Sequence, residues 1–223
     1  MQNQQEWVIS SEPEKFGFEI KKIRQYRELL FRFVRRDMLS TYQQTLMGSV
    51  WIFLQPLLTT LVYVIIFGYF IKTATLNIPT VLFYLPGVIV WNYFSDILIQ
   101  TMYTFIHNSQ IFSKVYFPRI IVPLSVVLNQ TIRMGIQLFI FLIIWLFYKT
   151  DYPQLQIQHN LMLLPFALLI VALLGLGIGL ICSVVISRYR DVENLVHFLL
   201  RLFMFASPVV YSVSLVPAVW QPL

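Results

Sequence analysis

The chain has 223 residues, of which 58% are hydrophobic and 12% charged, and its formal net charge is +6. A chain with this composition has too few polar residues to cover the surface of a water-soluble domain. The composition therefore excludes a soluble domain and indicates a protein whose side chains face lipid. The single cysteine, Cys182, excludes a disulfide framework and a thiolate metal site.

The amino-terminal residues predict a cytoplasmic tail followed by an amphipathic helix. Residues 1–20 are polar and lack the apolar core of a signal peptide, so we expect them to stay in the cytoplasm. Within residues 21–48, apolar side chains recur at helical spacing from Ile23 to Val34, while arginines occupy the opposite side. This pattern is typical of a helix that lies on the inner membrane surface against lipid headgroups.

Residues 49–223 predict a transmembrane domain with five helical spans. A span needs about 20 apolar residues, which at a rise of about 1.5 Å each cross a hydrocarbon core of about 30 Å. The five stretches that meet this criterion are 49–71, 81–101, 120–148, 161–186 and 195–213. The sequence therefore predicts an all-α integral membrane protein.

The basic residues predict the orientation of these spans. Thirteen of the sixteen lysines and arginines lie in the amino-terminal segment, or in and beside the alternate connections that share its side of the membrane. Because positively charged loops stay in the cytoplasm, this distribution places the amino terminus on the cytoplasmic side. It also accounts for the positive charge without a nucleic-acid partner, for which the chain has no motif.

Several kinds of site are excluded by the motifs that the chain lacks. No G-x-x-x-x-G-K-[ST] occurs, so the chain has no P-loop to hold nucleotide phosphates. His107, His159 and His197 are far apart in sequence, with no carboxylate or cysteine at ligand spacing, so we expect no metal site. Gly175 and Gly179 form a small-xxx-small pair, which indicates close packing between helices.

A stripe of polar and aromatic residues in the first span is a candidate substrate path. Trp51, Gln55, Thr59 and Tyr63 recur every four residues and combine flat rings with hydrogen-bonding groups, as a path for a sugar chain requires. Ordinary helix packing, or an aromatic ring at the membrane interface, is the alternative interpretation.

Two charged residues lie deep inside predicted spans, whereas Arg201 lies near the inner end of its span and can extend to the interface. Arg133 shares its helix face with Asn129, Gln130 and Gln137, so we expect it to face a polar interior or the translocation path. Asp96 lies about five residues from the cytoplasmic end of its predicted span and Arg133 about fourteen, which corresponds to depths of roughly 8 and 20 Å. The sequence therefore predicts no direct pair between them, and for Asp96 solvation near the interface is an equal alternative.

Several blocks of the sequence resemble ABC-2 type permeases that export polysaccharides, and they occur in the order found in that family. The blocks are ELL (28–30), RRD (35–37), YQQTLMGSVW (42–51), LQPL (54–57), YLPG (84–87), WNYF (91–94), KVYFPR (114–119), RYRDV (188–192) and SPVVY (207–211). Each block is short, but their shared order from about residue 26 to the end makes the resemblance specific.

The resemblance implies a transport subunit of the bacterial inner membrane without catalytic residues of its own. Two copies of the chain would form the channel, and two copies of a separate ATPase subunit, which binds ATP and magnesium, would drive it. The substrate would be a lipid-linked O-antigen, capsular polysaccharide or teichoic acid. The family also has a sixth span, which this sequence, ending at Leu223, does not contain.

The connection between the second and third spans, residues 102–119, is the expected contact with the ATPase subunit. It contains Asn108, Ser109, Gln110, Ile111, Phe112, Lys114 and Val115. A short helix here would place the apolar side chains of Ile111, Phe112 and Val115 in a cleft of the partner, with Lys114 at the rim. An amphipathic loop resting on lipid headgroups is the alternative.

Two other functions are alternative interpretations of the sequence. An ion-coupled secondary transporter or channel would use Asp96 and Arg133, but it would be expected to carry more intramembrane carboxylates and an internal repeat. A membrane-embedded transferase would need a constellation of histidine or aspartate near an interface, which the sequence does not show.

Overall fold

The computed structural model describes residues 26–42, 46–70, 78–114, 117–152 and 162–209. Within these ranges the chain is helical and contains no strand, which confirms the all-α prediction. Six longer helices and one short helix lie within these ranges. The helices are α1 (Arg27–Tyr42), α2 (Trp51–Tyr63), α3 (Thr80–His107), α4 (Ser109–Lys114), α5 (Ile121–Asp151), α6 (Leu164–Arg188) and α7 (Asp191–Ala206).

Among the described residues, four segments are long and apolar enough to cross a membrane: Gly48–Tyr69, Thr80–His107, Ile121–Asp151 and Leu164–Arg188. They correspond to the first four predicted spans. The fifth prediction, residues 195–213, begins in α7, whose 16 residues end at Ala206, and its last residues lie outside the described ranges.

The first span changes its helical geometry along its length. A 3₁₀ turn, Gly48–Val50, leads into α2, and a π-helical segment, Val64–Phe70, continues it. Pro56 lies inside α2 and has no N–H, so the carbonyl of Ile52, four residues earlier, loses its helical partner. Such a freed carbonyl in a membrane helix must find a donor elsewhere.

Helix α3 is the centre of the bundle, with α2, α5 and α6 packed around it. Helices α3 and α6 run parallel, because Gly175 faces Ile97 and Gly179 faces Thr101. A Cβ at Gly179 would lie 2.8 Å from the Leu98 carbonyl oxygen, so only glycine permits this approach. The structure therefore confirms the helix–helix packing predicted for the glycine pair.

One face of helix α1 packs on the bundle, and the other face is exposed. The described helix begins at Arg27 and ends at Tyr42, whereas residues 21–25 and 43–45 of the predicted 21–48 helix lie outside the described ranges. Phe33 and Val34 are buried, and Phe33 packs against Phe117 near the start of α5. Part of the apolar face expected to contact lipid thus covers the protein's own core.

One end of the bundle collects α1, the last turns of α3, α4 and the start of α5, and it is called here the α1 end. Helix α7 also starts near this end, since the Tyr103 hydroxyl of α3 lies 3.3 Å from Nε2 of His197 in α7. Tyr103 stacks on His107, with ring centroids 5.2 Å apart. Two of the three histidines are therefore held by one tyrosine, and no metal-binding group of three occurs among the described residues.

Candidate functional site

A polar cavity of about 220 Å³ lies between α2, α3 and α5, and it is called here the inner cavity. Its wall joins an aromatic and amide pair from α2 to polar residues of α3 and α5. The lining residues are Trp51, Ile52, Gln55, Asn92, Tyr93, Asp96, Gln130, Arg133, Met134 and Gln137. Since the cavity lies within otherwise apolar spans, its polar lining singles it out as a candidate site.

Asp96 and Arg133 lie at the same level, contrary to the depths predicted from the sequence. Helix α3 continues to His107, so Asp96 is eleven residues, about 17 Å, from its end at the α1 end. Arg133 is twelve residues, about 18 Å, from the start of α5 at Ile121. The depth predicted for Asp96 was wrong because the predicted span ended at residue 101, and the two side chains line one cavity.

Gln137 supplies the donor that the proline in α2 makes necessary. Its Nε2 donates a hydrogen bond to the carbonyl oxygen of Ile52 at 2.6 Å, the carbonyl freed by Pro56. This contact ties α5 to the start of α2 and fixes one side of the cavity. Gln137 therefore lines the cavity and also satisfies the carbonyl that the proline in α2 leaves without a helical partner.

Other polar side chains of α5 are held by short contacts. The Thr131 hydroxyl donates to the Val127 carbonyl at 2.8 Å, so the Tyr93 hydroxyl donates to Thr131 at 2.9 Å. Nε of Arg133 donates to Oδ1 of Asn129 at 3.2 Å. These bonds orient Tyr93 and Arg133 at the cavity wall, so the site is preorganised.

Gln130, unlike Thr131 and Arg133, has a buried side-chain donor without a hydrogen-bond partner among the described residues. Its side chain is 2% exposed and lines the inner cavity, yet its Nε2 atom has no hydrogen-bond partner among the described residues. A buried donor without a partner costs about 1–3 kcal/mol, so most such groups are paired in native structures. The atom is available to a ligand or to water in the cavity.

The four residues of the predicted stripe do not stay on one surface. Trp51 and Gln55 line the inner cavity, but Thr59 and Tyr63 do not. A step of four residues turns a helix by about 40° beyond one full turn, so three steps rotate the stripe by about 120°. The Tyr63 hydroxyl instead donates to Sδ of Met204 at 3.4 Å, and the Thr59 hydroxyl bonds to the Gln55 carbonyl.

A second cavity, of about 490 Å³, lies at the α1 end and is called here the vestibule. It is an open cavity lined by α1, α3, α4 and α5. The lining residues are Arg36, Asp37, Ser40, Gln100, Tyr103, Thr104, His107, Asn108, Gln110, Ile111, Val122, Val126, Asn129 and Arg133. Arg133 lines both cavities, so its side chain lies on the boundary between them.

The segment predicted to contact an ATPase subunit forms the short helix α4. Ile111 and Phe112 are half-buried and pack in the cluster that contains Phe33 of α1, with the Phe112 and Phe117 ring centroids 5.5 Å apart. Only the exposed parts of both side chains are therefore available to a partner's cleft, and the predicted contact with the ATPase subunit stays a prediction. Val115 lies outside the described ranges.

The exposed part of this segment is polar. Ser109, Gln110, Ser113 and Lys114 are exposed. Asn108 connects the segment to α1, because its Oδ1 accepts a hydrogen bond of 3.1 Å from Nη2 of Arg36. Helices α1 and α4 are thus joined by both an apolar cluster and a polar contact.

The sequence pattern predicts some residues of the cavity wall but not all of them. Gln130 and Gln137 were identified as neighbours of Arg133 on one helix face, whereas Asn92 was not identified. Asn92 and Asp96 are four residues apart in an apolar helix, and that spacing places them on one face. This pair is the signal that would have indicated a second polar wall.

Comparison with known proteins relates almost the whole chain to membrane transporters. Residues 28–223 match the family model described as ABC-2 type transporter. The O-antigen export system permease protein RfbA of Myxococcus xanthus is 29% identical, covering 87% of this chain and 72% of the relative. A protein of the same name from Klebsiella pneumoniae is 25% identical, covering 85% and 71%. The polysialic acid transport protein KpsM of Escherichia coli is 26% identical, covering 93% and 79%.

Proposed function

The chain belongs to the ABC-2 type transporter family, and we propose that it is the membrane subunit of an ATP-driven exporter of a lipid-linked polysaccharide in a bacterial inner membrane. The observation that carries this proposal is the match of residues 28–223, together with relatives named for O-antigen export and polysialic acid transport. Both substrates are long sugar polymers. The family match favours this function over the ion-coupled transporter or channel.

A polymer needs a wider path than one copy of the described bundle provides. The inner cavity of about 220 Å³ has room for about seven water molecules at roughly 30 Å³ each. In this proposal the channel of the exporter is formed between two copies of the chain, and the small size of the inner cavity supports it. Under the same proposal a separate subunit binds ATP and magnesium, which is consistent with the lack of a P-loop in these 223 residues.

The export function is tested by deleting the gene in its native host and restoring it on a plasmid. Deletion is expected to remove the polysaccharide from the cell surface and to accumulate its lipid-linked precursor inside the cell, and the restored gene is expected to reverse both changes. Immunoblots of surface glycan and mass spectrometry of the lipid fraction measure the two effects. Unchanged surface glycan in the deletion strain would contradict the proposal.

The α1 end faces the cytoplasm in this proposal, and α4 contacts the ATPase subunit. The basic residues support the orientation, since Arg36, Lys114 and Arg188 belong to the segments predicted to be cytoplasmic. The exposed residues Gln110 and Lys114 would form the contact, whereas Ile111 and Phe112 would transmit movement to α1 through the cluster they share.

The coupling role is tested with charge changes on the exposed surface of α4. The double variant Gln110→Glu and Lys114→Glu is expected to reduce co-purification with the ATPase subunit and to lower ATP hydrolysis by the complex at least fivefold. Arg188→Glu reverses the charge of another exposed residue at the same end and is the matched control. Equal co-purification and hydrolysis in the double variant and the control would rule out this contact.

A further inference from the structure

We propose that the inner cavity is a sugar-binding subsite within each subunit, in which Asn92, Asp96 and Gln130 hydrogen-bond one ring of the exported glycan and Trp51 contacts its face. This inference rests on the proposed export function and adds to it a site inside one chain. It is separate from the wider channel between two copies.

The first argument is the unpartnered amide of Gln130. Its Nε2 is buried at the cavity wall and has no hydrogen-bond partner among the described residues. The Asp96 carboxylate in the same wall accepts hydrogen bonds, and the Asn92 amide both donates and accepts. A sugar ring carries hydroxyl groups that do both, so it satisfies a wall of this kind more fully than an apolar ligand does.

The second argument is charge. Asp96 and Arg133 line the same cavity, so the formal charges of its wall sum to zero. An anion such as a phosphate group would gain attraction from Arg133 and lose it through repulsion by Asp96. A neutral polar ligand is not repelled by Asp96, and it can form hydrogen bonds with both charged side chains. The wall therefore favours sugar hydroxyls over the phosphate of the lipid carrier.

The third argument is shape and access. A volume of about 220 Å³ suits one ring and not a chain. Trp51 lies in the cavity wall and is 42% exposed, so its flat face is available to a ring that enters from outside the bundle. Arg133 also lines the vestibule, so the polar surface continues toward the α1 end. A sugar ring can therefore reach the cavity past the exposed Trp51 or along the polar surface of the vestibule.

The test measures sugar binding by the complete complex of this chain with its ATPase subunit in lipid nanodiscs. The probe is a fluorescently labelled oligosaccharide released by mild acid from the host's own surface polysaccharide. Gln130→Leu and Asp96→Asn are each expected to weaken probe binding about tenfold, as the loss of one buried hydrogen bond implies. Gln130→Glu removes the donor with little change of shape and is expected to act in the same direction.

Ser183→Ala is the matched control, because it removes a buried hydroxyl of α6 that does not line the inner cavity. It is expected to bind the probe as the wild type does. Every variant is also assayed for co-elution with the ATPase subunit, so that a folding defect is recognised and Gln130→Glu then replaces Gln130→Leu.

The outcomes separate this inference from the export function. Wild-type probe binding by all three cavity variants, in a complex that still exports, would overturn the subsite and leave the export function standing. Tighter probe binding by Asp96→Asn, or displacement of the probe by inorganic phosphate, would show an anion site and overturn it as well. A wild-type complex that neither exports nor binds the probe would instead refute the proposed function.

Discussion

The hydrogen bond from Gln137 to the Ile52 carbonyl predicts that Gln137 and Pro56 are energetically coupled. Gln137→Leu removes the donor and leaves this carbonyl without a partner, which costs about 1–3 kcal/mol. In a Pro56→Ala background, residue 56 regains an N–H that bonds to the same carbonyl four residues earlier. Gln137→Leu is then expected to cost about 1–2 kcal/mol less, and this difference is the coupling energy.

The assay is a thermal double-mutant cycle on the four purified proteins in the same detergent. For a chain of this length about 1 kcal/mol shifts the Tm by roughly 2–4 °C. Gln137→Leu alone is therefore expected to lower the Tm by roughly 2–12 °C, and by several degrees less when Pro56 is already alanine. Equal Tm losses in the two backgrounds would refute the reasoning that Gln137 substitutes for the missing N–H.

Three further predictions concern packing, charge and orientation. Gly179→Ala is expected to be about 1–3 kcal/mol less stable than Gly177→Ala, because only the first Cβ meets α3, and thermal unfolding of both variants measures the difference. Arg133→Leu is expected to lower export about tenfold or more and Arg133→Lys less, because leucine offers the polar interior neither charge nor hydrogen bond; surface glycan is the readout. A reporter fused after Tyr152 is expected to be active outside the cell and one fused after Arg188 inside, and the reverse result would overturn the orientation.

The sequence alone was sufficient to predict the local features of this protein. The first four spans follow from long apolar runs, because the bilayer thickness sets the length of a spanning helix. The amphipathic helix α1 and the polar face of α5 follow from helical spacing, which depends only on neighbouring residues. The glycine pair on α6 indicated a close helix contact for the same reason, since it leaves room for a neighbour's backbone.

The tertiary structure decided which of these features meet. Asp96 and Arg133 share a cavity because α3 and α5 pack with both residues at one level. The depth estimate missed this because α3 continues to His107, a boundary that the mixed composition of residues 102–107 does not mark. Ile111 and Phe112 have the apolar pattern of a docking surface, but they pack in a cluster with α1, which is far away in sequence, and with the start of α5.

The same limit applies to the candidate site. Pro56 shows that the Ile52 carbonyl needs a donor, yet only the packing of α5 on α2 identifies Gln137 as that donor, 85 residues along the chain. Composition and periodicity describe what each helix presents on its faces. Which faces come together, and at what level, depends on contacts between distant residues, and these contacts build the cavity.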